Sequence, residues 1–205
     1  AWEGGPSGEA PGIAYLGSTS CPVWQTEFGS LWSKMAQGNR VQPRERERAA
    51  ILLRKMIMAR AYDVKKFISF NTRPSFQDNH MFLQPLNAGA AGPAICLQYA
   101  ACVTFASELT GRDLANVYRV NNAYVFEFGP REPGGATVIA AWATAQEPPV
   151  HVADGFPEVE LRRMDGSRQA VTRLDLTAEP VILNPADESS YDWSVIFGDD
   201  IVAVR

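Results

Sequence analysis

CPVWQTEFGS at residues 21–30, followed by QPRERERAAILLRKMIMARAYDVKKFISF at 42–70, is the stretch on which the fold turns. Its first part is a short apolar, aromatic and β-branched run closed by Gly29, the composition of a buried strand, with Glu27 at its C-terminal end. From Gln42 to Tyr62 the period becomes helical. Pro43 suits a first turn, Glu45 and Glu47 suit the positive N-terminus, and Ala49, Leu52, Leu53, Met56 and Ile57 fall on one stripe. Asp63 breaks the helix, and VKKFISF at 64–70 reads as a second strand. Strand, helix, strand in that order predicts a parallel βαβ unit with a right-handed crossover.

Outward from this unit, residues 1–20 are rich in Gly, Pro and Ser and read as an irregular loop. Residues 71–93 read as a long loop, of the kind that carries binding groups at the ends of parallel strands. ICLQYAACVTFASELTG at 95–111 is apolar on nearly all sides and predicts a buried helix stopped by Gly111. Beyond it the texture changes. Short runs (NVYRV, AYVFEF, ATVIAAWA, PVHV, EVELRRM, QAVTRLDL and PVIL) alternate with turn signals, Asp165-Gly166 being a strong hairpin signal. An antiparallel β-sandwich or open barrel follows, with a boundary near 111–116. The tail YDWSVIFGDDIVAVR is expected to add a hairpin or to pack against a partner.

The 205 residues, 46% hydrophobic, supply a real core. A net charge of -4, with the arginines at 44–48 interleaved with glutamates, argues against a nucleic acid or an anionic membrane surface as partner. Cys21, Cys96 and Cys102 cannot all pair within one chain and form no zinc spacing. No apolar run reaches the roughly 20 residues that span a bilayer. No G-x-S-x-G elbow, phosphate-binding Gly-Lys loop or H-E-x-x-H occurs, and two scattered histidines are too few for a typical zinc site; no metal or cofactor is expected.

From spacing alone Glu27 is either a carboxylate aimed by a stiff strand into a shared pocket or a charge where a strand meets solvent. A resemblance bears on that choice. VWQTEFGS with RERERAAILLRKMIMARAYDVKKFISFN resembles the seventh strand, seventh helix and eighth strand of the large clan of retaining glycoside hydrolases with (β/α)8 barrels. AYVFEF through TVIAAWA to LTAEPVIL is similar to the small β-sandwich that follows the barrel in several of those families. The resemblance implies the C-terminal section of such a barrel at 1–111 and a β-sandwich at 112–205. It also implies a carbohydrate substrate, an extracellular or periplasmic location, and Glu27 as the nucleophile. That chemistry needs a second carboxyl roughly 5–5.5 Å away, acting first as acid and then as base.

The sequence departs from the clan at two points. The partner acid normally ends the fourth strand in an Asn-Glu pair, and no such dipeptide occurs here. A whole barrel takes about 250 residues, so the missing strands would lie in further sequence or in a partner chain. Two βα units alone would leave open sheet edges and are not expected to be a stable monomer. The second departure is on strand eight, where Ser69 or Phe70 stands in place of the usual aromatic floor.

Sugar rings stack on aromatic faces, and Trp24, Trp32, Phe76 and Phe82 are the candidates. Strand alternation puts Gln25 on the side of Glu27 and Trp24 on the other, which leaves Trp32 as the better platform. Asn71, Arg73 and His80 are further candidates for substrate hydroxyl or carboxylate groups, each with a reading as an ordinary loop residue. His151 and Glu179 are expected to be structural. The rival is a non-catalytic scaffold or glycan-binding subunit, and a third reading is an isolated β-sandwich in which 112–205 fold alone.

Overall fold

The computed structural model describes residues 24–28, 42–69, 83–84, 94–95, 97–120, 122–144, 149–186 and 191–197. Strand β1 (Trp24–Phe28) leads to helix α1 (Gln42–Ala61) and strand β2 (Lys66–Ser69). The two strands pair in parallel, Trp24 opposite Lys66 and Phe28 opposite Ser69, as the sequence order predicts. Ala49, Leu52, Leu53, Met56 and Ile57 are all buried, and so are Ala50, Met58 and Ala59, so α1 is covered on more than one side.

Asp63 ends α1 by a specific device. It adopts the left-handed conformation, φ 59°, while its N–H donates to Arg60 O at 3.2 Å and the N–H of Val64 to Ala59 O at 2.9 Å. Those two bonds are the Schellman pattern, with an aspartate where glycine is usual.

Strand β3 (Leu83–Gln84), inside the stretch expected to be loop, pairs antiparallel with β4 (Ala94–Ile95), which takes up Ile95 where the buried helix was expected to begin. Helix α2 (Leu97–Leu109) follows, and Gly111 beyond it takes φ 78°. The helix is less enclosed than its composition suggests. Gln98, Ala101, Thr104 and Leu109 are buried, but Tyr99 and Val103 are 44% and 47% exposed on the opposite face. The two helices run in the same direction: Cys102 Sγ lies 3.8 Å from Met56 Sδ mid-helix, and Arg60 Nε, in the last turn of α1, donates at 2.6 Å to Arg112 O just past the C-terminus of α2. Parallel strands with parallel helices are the geometry of two consecutive βα units.

The rest is antiparallel. Strands β5 (Leu114–Val120), β6 (Ala123–Phe128), β7 (Val138–Ala143), β8 (Val150–Arg163), β9 (Arg168–Leu176) and β10 (Val181–Pro185) hydrogen-bond in the order β5-β6-β7-β10-β8-β9. PVHV and EVELRRM, which read as separate runs, belong to one strand, β8. It is interrupted between Asp154 and Val159, where it carries three more residues than β9 uses to pass from Arg173 to Val171. The ribbon bends there, and the end of β9 reaches β7, Ala143 N–H donating to Thr177 O at 2.7 Å. Two layers arise from one continuous sheet, with strands changing layer at a bulge. The Asp165-Gly166 hairpin forms as expected, with Gly166 at φ 83°.

Because side chains alternate along each strand, the sheet divides its apolar residues between two cores. One face presents Phe126, Phe128, Ala140, Trp142, Met164 and Ile182 to α1 and α2. The other gathers Val125, Ile139 and Leu183 with Val159, Leu161 and Leu174 of the β8–β9 ribbon and with a helical turn α3 (Ser194–Phe197). The described part of the tail, residues 191–197, forms a turn that packs into this core, Trp193 Nε1 donating to Thr137 Oγ1 at 2.7 Å, and the rest of the segment expected to form a hairpin or meet a partner lies outside the described residues.

Arginines tie the C-terminus of α2 to the sheet. Arg112 donates to Glu108 O at 2.8 Å, to Gly129 O at 3.0 Å and to Ala136 O at 2.7 Å, and Arg131 donates to Thr110 O at 3.0 Å and to Ser107 O. The Ser107, Glu108 and Thr110 carbonyls lie at the end of the helix, where intrahelical donors run out, while those of Gly129 and Ala136 belong to the β6–β7 connection; cations at the helix C-terminus also complement its dipole. Arg162 on β8 pairs with Glu108 in a mostly buried ion pair.

Two outcomes are expected. Arg112→Ala, which leaves three carbonyls short of a donor, lowers stability by about 2–3 kcal/mol in urea unfolding with an unchanged m-value. Residues 112–205 expressed alone bare Phe126, Phe128 and Trp142 to water, so this fragment binds a hydrophobic dye and lacks sharp side-chain NMR dispersion.

Candidate functional site

Glu27 is the next-to-last residue of β1, and the chain passes from it through residues 29–41 to the start of α1. In a parallel βαβ unit the C-terminal ends of the strands and the N-terminus of the crossover helix lie at one end. Glu27, the end of β2 at Ser69 and the first turns of α1 therefore share that end.

The β1–β2 ladder is not regular at this point. Gln25 pairs with Phe67 and Phe28 with Ser69, so β1 takes three steps where β2 takes two. The extra residue lies at Thr26–Glu27. Bulges of this kind interrupt the two-residue alternation and re-aim a side chain. Placing Gln25 on the same side as Glu27 relied on unbroken alternation, and that premise does not hold across the bulge. Trp32, Asn71, Arg73 and His80 lie outside the described residues, as do Phe70, Phe76 and Phe82.

One buried polar group was not anticipated. Glu127 on β6 is 8% exposed, and its Oε2 accepts from Asn116 Nδ2 at 2.6 Å and from the hydroxyl of Tyr118 at 2.7 Å. Burial, and then the hydrogen bond to Glu127, hold the Tyr118 phenol well above its usual range, so it remains a donor at every physiological pH. The signal was present in AYVFEF, whose period of two puts Glu127 on the face of Ala123 and Val125. A carboxylate with both donors on one oxygen, packed against β5, is a satisfied core group.

His151 behaves as the sequence suggested. Its Nδ1 is 2.9 Å from Asp175 Oδ1, directly across the β8–β9 ladder, and Arg173 Nε donates to Asp175 Oδ2 at 2.8 Å. The Arg173 bond first, and then His151, hold the Asp175 carboxyl below its ordinary range. Glu179 accepts both arms of Arg46, as described below. Among the described residues no three His, Cys, Asp or Glu side chains gather as metal ligands.

No protein-family model and no curated protein matches the chain. A solved structure does: a family 39 glycoside hydrolase from the gut symbiont Bacteroides cellulosilyticus WH2, with a TM-score of 0.59 at 19% identity. The match covers 84% of this chain and 37% of that one. The likeness is one of fold. The chain spans a little more than a third of that protein's length, and its β-rich part is as expected from the sequence.

Among the described residues the free thiol is Cys102, half-buried between α1 and α2, and burial pushes its pKa up to about 11. At pH 8 its thiolate fraction is then lower than that of an ordinary thiol by roughly a hundredfold. Iodoacetamide labelling read by peptide mass spectrometry is expected to show that lag in the folded protein and its loss in urea.

Proposed function

We propose that this chain is the C-terminal section of a retaining glycoside hydrolase, with Glu27 as the nucleophile. The remainder of a (β/α)8 barrel, the acid/base carboxyl included, comes from further sequence or from a partner chain. One observation carries the reading: Glu27 stands next to last on a strand that opens two consecutive βα units, the position at which such barrels hold their reactive groups. The fold likeness to a family 39 glycoside hydrolase supports it.

In this mechanism the ionised Glu27 attacks the anomeric carbon while the second carboxyl protonates the departing oxygen. Water, deprotonated by that same group, then releases the sugar. Trp32 is the proposed ring platform, and Gln25, Asn71, Arg73 and His80 are proposed to bind the glycan, whether β- or α-linked. Residues 1–111 belong to the barrel and 112–205 to the appended sheet domain, in an extracellular or periplasmic protein.

A second reading, a non-catalytic scaffold or glycan-binding subunit, is favoured by two features, the absence of any Asn-Glu dipeptide and Ser69 or Phe70 in place of the strand-eight aromatic. The coding sequence upstream of Ala1 separates the two. An in-frame extension with a carboxylate ending a fourth strand supports the enzyme, and an open frame that starts near Ala1 supports the subunit.

In the complete polypeptide Glu27→Gln is expected to lower kcat on aryl glycosides by roughly 10³-fold or more, with an unchanged circular dichroism spectrum. Full turnover in that variant overturns the assignment.

A further inference from the structure

Arg46, in the second turn of α1, reaches 133 residues along the chain to Glu179 in the turn between β9 and β10. Nε donates to Oε1 at 2.8 Å and Nη2 to Oε2 at 2.7 Å, the parallel two-bond geometry that distinguishes an arginine–carboxylate pair from a loose ion contact. Glu179 is itself held, its N–H donating to Thr177 Oγ1 at 3.1 Å.

Asp165, in the β8–β9 hairpin, accepts from Ser167 Oγ at 2.6 Å and Ser167 N at 2.9 Å, and its charge acts on Arg46. The hydrogen bond to Glu179 is the largest influence holding the Arg46 proton, with the Coulombic pull of Glu179 and then Asp165 behind it. An isolated surface pair contributes little, but a bidentate pair inside a network of fixed charges is the exception.

We propose that Arg46 and Glu179 form an electrostatic latch by which the β9–β10 turn of the antiparallel sheet holds the first turns of α1. The sheet thereby becomes a positioning element for that helix start as well as a cover for the helices. The latch does not rest on the proposed hydrolase reading.

The test is a double-mutant cycle of Arg46→Ala and Glu179→Gln in the intact polypeptide, read by native-state hydrogen exchange resolved along α1. Each single variant is expected to speed exchange at residues 46–50 by roughly three- to fivefold, with residues 53–61 unchanged. The double variant should be no faster than either single, because one shared interaction is lost. Arg46→Lys, which keeps charge but not the fork, should fall between wild type and Arg46→Ala. Unchanged exchange, additive effects, or a rise spread evenly over α1 would each overturn the latch. The readout needs no glycosidase activity, so an inactive protein with the expected cycle would sink the hydrolase reading alone.

Discussion

The contact on which the rest depends is the seam between the two parallel helices and one face of the antiparallel sheet. Trp142 lies at its centre, stacked on Phe126 with ring centroids 5.2 Å apart and an interplanar angle of 20°. Around that pair Leu53, Ile57 and Leu109 meet Phe128, Val138 and Ile182. Since β6 and β7 are covered on the reverse side as well, their residues are buried on both faces, and almost any polar atom in them must find its partner within the protein. Glu127 does so through Asn116 and Tyr118. At the border of the seam, Arg112 with three carbonyls meets the same requirement, whereas Arg162 meets it only in part: Nη1 pairs with Glu108 while its buried Nε has no hydrogen-bond partner.

Much of this layout was legible because it follows from short-range periods. The stripe on α1, the strand on either side of it, the glycine stop at 111 and the hairpin at Asp165-Gly166 each depend on residues a few positions apart. The features that escaped depend on distant partners. PVHV and EVELRRM look like two strands because ADGFP between them carries turn residues, and only the paired ribbon shows that this segment is a bulge within β8. Nothing near Arg112 in sequence marks it as a staple, since its acceptors at Gly129 and Ala136 belong to another loop. The exposure of Tyr99 and Val103 was hidden for a related reason: apolar composition shows that a helix seeks cover, not which of its sides has found it.

At the candidate site, sequence order located Glu27 at a strand end, and the structure places it there. Its orientation is a different matter. A period-two argument across TEF assumes a regular ladder, and a parallel pair with one surplus residue violates it, which is information held only in the pairing partner. The surplus residue falls beside the single carboxylate of β1.

The outer edges of the structure are not equivalent. Along β9, Arg168 faces Glu160 at 3.4 Å and Arg173 binds Asp175, so that rim is lined with paired charge, which discourages the addition of another strand. The opposite rim, β5, has α3 beside it, where Phe197 lies over Tyr118. The two-stranded parallel sheet, by contrast, ends at β1 on one side and β2 on the other, with backbone donors and acceptors along both among the described residues. The two rims of the antiparallel sheet are thus closed by different means, paired charge along β9 and an aromatic turn beside β5.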